Sequence, residues 1–295
     1  MKENLYFPIY QKIEKEVIEL TSSIYFSDEQ INVYSLQIAN LIIRCSIELE
    51  SIAKDIYRES NGNDPRKPRD AFDQLDQQWN LSHKVLTIIS PYTHFKNSFC
   101  PAFAPFLYEA KSSDDYYSTY NAIKHDKVKN ISKANINSLI RVLGALYILN
   151  IYYRNEIIPL DQDRYGSKAN RSLGSDFFSY SIAPLEGIAR LSSEKDITPE
   201  SCIYRIVRRE YDYGFRITFE ESSGEIHSFT MINIQPAFQN YAKSLIGISI
   251  DKDSFFMNFP ISGVTETNLL AEMKATKIIE IESEKPKIAY SAVIR

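Results

Sequence analysis

The residues best suited to chemistry stand in one stretch, Asp114 to Lys129 (DDYYSTYNAIKHDKVK). On a helix, positions three and four apart share a face, so Tyr117, Asn121, Lys124 and His125 form one polar cluster. An imidazole exchanges a proton near neutral pH, an ammonium stabilises an anionic phosphate, and an amide orients either. His125, Asn121 and Lys124 are therefore the candidate catalytic residues. Lys127, Lys129 and Lys133 carry the positive charge along the next turn. With Tyr116, Tyr117 and Tyr120 they make a basic patch interleaved with aromatic rings, suited to phosphate contact and base stacking. That makes Tyr117, Tyr120, Lys127 and Lys129 candidate substrate-binding residues. The same pattern also fits a solvated or hydrogen-bonding helix face.

Other constellations carry less. His83 and His94 have no acidic partner at metal-ligand spacing and His227 sits in an expected hairpin strand, so no metal site is expected. No Walker or dinucleotide glycine motif occurs, and no cofactor is expected. Glu50 and Lys54 read as an ordinary i, i+4 pair on a long helix, from which Glu48 could project toward the His125 face.

The elements that must position the cluster follow from periodicity. Tyr10 to Ser22 reads as a short amphipathic helix. Ser27 to Glu59 reads as a long one, with Ser27 and Gln30 as a capping box and apolar residues from Ile31 to Ile56 at helical spacing. The prolines of Pro65 to Asp70 interrupt helix, and Ala71 to Gln78 starts a short one. Val85 to Ile89 fits helix or strand, and Phe99 to Phe106 reads as a packed aromatic cover. Asp114 and Asp115 suit the start of the helix that runs through His125. Ser132 is the expected cap of an almost wholly apolar helix ending near Asn155, the core partner of the long helix.

After Ile157 the pattern changes to short strands at 177–182, 203–208, 215–220, 227–232, 277–281 and 288–294. Residues 215–220 and 227–232 flank a hairpin signal, and helices are expected at 236–245 and 266–275. The reading is a mainly α helical bundle over residues 1–160, followed by a smaller α+β domain over 161–295.

The totals bound the function. Two ordinary domains fit within 295 residues, and 44% hydrophobic content supports globular cores. A formal charge of −4 leaves any nucleic-acid binding to a local patch. Three scattered cysteines favour reduced thiols and a cytoplasmic setting. No signal peptide is expected, because MKENLYFPIYQKIEKE lacks a continuous apolar core and a small-residue cleavage site, and no membrane span, because the longest apolar run, Val142 to Tyr153, is short and broken by Gly144 and Asn150.

The helix VYSLQIANLIIRCSIELESIAKDIY, the motif YNAIKHDK and the helix ANINSLIRVLGALYILNIYY together resemble the HEPN superfamily over roughly Ser27 to Asn155. The resemblance implies a helical bundle that pairs as a homodimer and acts on RNA or a nucleotide. Many members are metal-independent endoribonucleases of defence or stress systems. Their arginine and histidine support attack of the RNA 2′-hydroxyl on the neighbouring phosphate. His125 matches the motif histidine and Asn121 the polar residue after the arginine. Ser118, Thr119 and Tyr120 occupy the positions where the family carries arginine, so Lys124 or Arg44 would have to supply that charge. The alternative is a non-catalytic module that binds nucleotide, RNA or a partner protein.

Overall fold

A computed structural model describes residues 5–106, 116–161, 163–185, 197–211, 213–232, 235–284 and 287–295. In chain order the elements are α1 (Tyr6–Leu20), β1 (Phe26–Ser27), α2 (Leu36–Asn61), α3 (Pro68–Trp79), β2 (Leu86–Ile88) and β3 (Thr93–His94). Next come α4 (Tyr116–His125), α5 (Lys127–Asn130), α6 (Ile136–Arg154), β4 (Ile158–Asp161), β5 (Phe178–Tyr180) and β6 (Ile182–Ala183). The chain continues through β7 (Tyr204–Tyr211), β8 (Gly214–Glu221), β9 (Ile226–Ile232), α7 (Pro236–Ser244) and α8 (Lys252–Asn258). It ends with α9 (Glu266–Met273), β10 (Ala275–Glu284) and β11 (Lys287–Ile294). The chain divides into two compact units, residues 1–159, 165–207 and 292–295, and residues 160–164 and 208–291.

In the first unit, α2 packs on α6, the pair expected from periodicity. Helix α6 is apolar around its circumference and buried along nearly its whole length. Its Gly144 matters for close approach, since a Cβ there would lie 3.0 Å from Pro105 Cγ and 3.2 Å from Leu86 Cδ1. The 99–106 segment is thereby seated on α6, with Phe99, Phe103 and Phe106 buried, as a packed cover.

Three expected boundaries move, each for a physical reason. Helix α2 starts at Ser35, whose side chain accepts from Ile38 N, rather than at Ser27. Residues 28–32 form turns rather than helix, and carbonyls at their end are used elsewhere: Asn137 N donates to Ile31 O and Ile136 N to Val33 O, both at 3.1 Å. Those two N–H groups open α6 and have no partner within their own helix. Asn135 rather than Ser132 caps α6, accepting from Ser138 N. Pro68 begins α3 instead of interrupting it, since a first-turn residue needs no N–H. Val85 to Ile89 resolves to the strand β2. The expected helix start at Asp114 and Asp115 lies outside the described residues.

Residues 165–207, expected in the second domain, belong to the first unit. Buried polar groups fasten them to the helices. Glu14, 3% exposed, accepts from Tyr10 Oη, Ser175 Oγ, Asp176 N and Phe177 N. Tyr147 Oη donates to Ser172 O at 2.5 Å, and within the segment itself Tyr180 Oη donates to Asn170 O at 2.9 Å. Lys84, 1% exposed, donates to Glu200 O and Cys202 O, both at 2.9 Å. Ordinary burial would make such groups costly, and these bonds offset that cost. Strand β6 pairs parallel with β7, and β2 antiparallel with β5. Strand β1 pairs parallel with β3, and just beyond it Asp28 takes the N–H groups of Lys96, Asn97 and Ser98 at 2.8–3.1 Å. Those bonds pull the Asp28 carboxyl down to about 2.

The second unit holds an antiparallel sheet in the order β10-β8-β9, with α7, α8 and α9 packed over Phe215, Phe238, Phe255 and Ile281. Gly224, at φ 85°, turns the hairpin between β8 and β9. Helix α8 was not expected from the sequence, being only seven residues long with Asp251 as its cap.

Candidate functional site

The segment from α4 to the start of α6 is anchored from below and open above. Tyr120 (3% exposed) and Ile123 face the interior, and Thr119 Oγ1 lies 3.5 Å from Ser138 Oγ on α6. The turn after α4 is built by its own side chains. Asp126 caps α5 by accepting from Lys129 N at 3.0 Å. Asn130 Nδ2 donates to Ala122 O and Asp126 O at 3.0 and 2.9 Å, satisfying carbonyls at the end of α4.

This scaffold leaves Lys124, His125, Lys129 and Lys133 exposed, with Asn121 half-buried one turn earlier. Lys124 Nζ lies 3.3 Å from Tyr120 Oη and 5.1 Å from that ring's centroid. The His125 side chain makes no hydrogen bond or ion pair among the described residues. Lys127 is already engaged, donating to Asn40 Oδ1 on α2 at 2.9 Å. The structure thus brings Asn121, Lys124, His125 and Lys129 to one end of α4.

It leaves two expected binding residues, Tyr120 and Arg44, out. Tyr120 is a core ring that supports Lys124, so it offers no face for a base. The side chain of Tyr117 lies outside the described residues. Arg44 is held by Glu16 of α1 in a two-pronged pair, Nη1 to Oε2 at 2.5 Å and Nη2 to Oε1 at 2.9 Å. That pair lowers the Glu16 carboxyl and raises the Arg44 guanidinium.

The acidic neighbour of the site is Glu50, not Glu48. Burial raises the Glu50 carboxyl above its ordinary range, and the charge of Lys124 partly opposes that rise. Burial likewise raises Glu48, but its opposing charge is Arg44. Arg44 and Glu50 are six residues apart on α2, or about 120° around the helix, so each meets a different neighbouring element. The expected Glu50 partner, Lys54, instead lies 3.5 Å from Asp64. Glu50, Asn40 and Asn130 carried no local signal, because each acquires its role from packing or from the turn's geometry. Among the described residues no group of three or more His, Cys, Asp or Glu could hold a metal. No protein-family model, curated protein or solved structure matches the chain.

Proposed function

We propose that the chain is a HEPN-like, non-catalytic module that binds RNA by its phosphates at the turn after α4. The observation that carries this reading is the exposed quartet Lys124, His125, Lys129 and Lys133, among which the one intervening acid, Asp126, is engaged as the cap of α5. Ammonium groups at such a turn bind phosphate without reading sequence. The pairing of Arg44 with Glu16 supports binding over cleavage, since the α2 guanidinium that the family resemblance would call on is already occupied. The test is fluorescence anisotropy of a labelled single-stranded RNA in chelator across a salt series. Lys129→Ala combined with Lys133→Ala is expected to lower the log–log salt slope by about 1.4, roughly 0.7 for each phosphate that is no longer neutralised. Binding indifferent to salt and to both substitutions would sink the reading.

A second reading, metal-independent cleavage of the bound strand, is favoured by one observation: His125 is exposed and unengaged beside Lys124. Cleavage in chelator that disappears in His125→Ala would establish it over simple binding. The same family resemblance proposes a homodimer through the helical unit, which sedimentation across a concentration range tests directly.

A further inference from the structure

We propose that the free edge of β10 is a docking site for an extended, lysine- or arginine-bearing peptide, which joins the second unit's sheet as an added strand. Strand β10 pairs with β8 along one edge, and among the described residues no strand covers the other. Beside that edge lies a cleft of about 740 Å³, with residues 279–283 as one wall and residues 247–250 as the other. An uncovered edge offers a row of backbone donors and acceptors at the spacing another extended chain requires.

The side chains along the cleft specify what it takes. Ile281 points into the helical layer and Ser283 Oγ donates to Ala242 O at 2.7 Å, which fixes the strand from that side. Glu280 and Glu282 therefore project from the opposite face. Both are exposed and neither makes an ion pair among the described residues. Their neighbours differ: Lys277 is paired with Glu220, and Glu284 with Arg216.

A register shift between Ile278 and Glu280 marks a bulge, a feature that re-aims a side chain, and Ile279 is 46% exposed at the cleft. Ile248 on the facing wall is 55% exposed. Along five strand residues, a length of about 17 Å, the cleft thus offers two unmatched carboxylates and one exposed isoleucine, with a second isoleucine facing them from the other wall. The complement is a five- or six-residue segment alternating cationic and aliphatic side chains. The formal charge of −4 falls wholly on the second unit, since Lys and Arg balance Asp and Glu in the first, so the long-range field attracts the same partner.

The experiment uses the full chain and a fluorescein-labelled peptide of six alternating lysines and valines. Binding is expected by anisotropy, with slowed hydrogen exchange at the amides of 279–283. Glu280→Gln combined with Glu282→Gln should weaken it roughly three- to tenfold, as expected for two exposed ion pairs. Glu225→Gln with Glu272→Gln, which removes the same charge elsewhere, should leave it unchanged. The same peptide N-methylated at alternate amides should not bind. Equal binding by the methylated peptide, equal loss in both double variants, or no binding at all overturns the proposal. So does unchanged exchange at 279–283 when the peptide is bound.

Discussion

In the first unit the ties between distant segments are polar and buried, Glu14 to residues 175–177 and Lys84 to the carbonyls of 200 and 202. In the second unit the interior is a cluster of rings, with Phe215 at 4.8 Å from Phe255 and 5.5 Å from Phe238, edge to face. The difference teaches where each unit is vulnerable. A ring cluster loses stability in proportion to the volume removed, whatever the pH. A polar tie fails when one partner is lost, because the others stay buried and unpaired.

The largest expected effect is Phe255→Ala, which should destabilise the second unit by about 3–5 kcal/mol. Hydrogen exchange at the β8 amides in urea reads it. Next is Glu14→Ala, which removes the acceptor shared by four donors, of which Tyr10, Ser175 and Phe177 keep bonds among themselves, and should cost about 1–3 kcal/mol. Trp79, the single tryptophan, stacks on Tyr152 at 4.3 Å inside the first unit, so its fluorescence reports that loss. If Phe255→Ala moved the Trp79 transition as far as Glu14→Ala does, the contrast between the units would be broken. Gly144→Ala is expected to cost about 1–3 kcal/mol by overpacking against Pro105 and Leu86. The same fluorescence measurement should show it.

A further effect sharpens the contrast through pH. Burial, with Arg295 adding to it, pushes the Lys84 ammonium down to about 8 from the usual lysine range. Between about pH 8 and 10.4, the ordinary lysine value, the unfolded chain keeps a proton that the folded chain has released, so stability should rise with pH across that window. Lys84→Met should flatten the rise, read as the Trp79 urea midpoint from pH 7.5 to 10.5. A rise of equal slope in the variant would assign it to another group.

What the sequence disclosed tracks the range of the forces involved. The apolar circumference of α6, the periodicity of α2 and the hairpin at Gly224 are local patterns, and all three appear where expected. So does the exposed end of α4, since Lys124 and His125 follow from helical spacing alone. Residues 28–35 misled because a helical spacing of Ile31, Tyr34 and Ile38 is overridden by two N–H groups of α6 more than a hundred residues away. Arg44 misled for a similar reason, since a helix position fixes direction but not the partner waiting there. The return of 165–207 to the first unit was hidden because its anchors, Glu14 and Lys84, look like ordinary charged surface residues in the sequence. Helix α8 was hidden by length, as seven residues hold barely two turns of periodicity.

The contact at Asp28 has a meaning beyond holding a loop. Three consecutive N–H groups converging on one point constitute an anion receptor. Here the receptor's guest is part of the same chain. A tethered guest acts at an effective concentration on the order of millimolar or more, which dilution cannot lower, so a free phosphate must outcompete an occupant that never leaves. Acid does not evict it either, because its charge persists down to about pH 2. Residues 96–98 are thus a self-occupied receptor, and Asp28→Ala is the change that would vacate it.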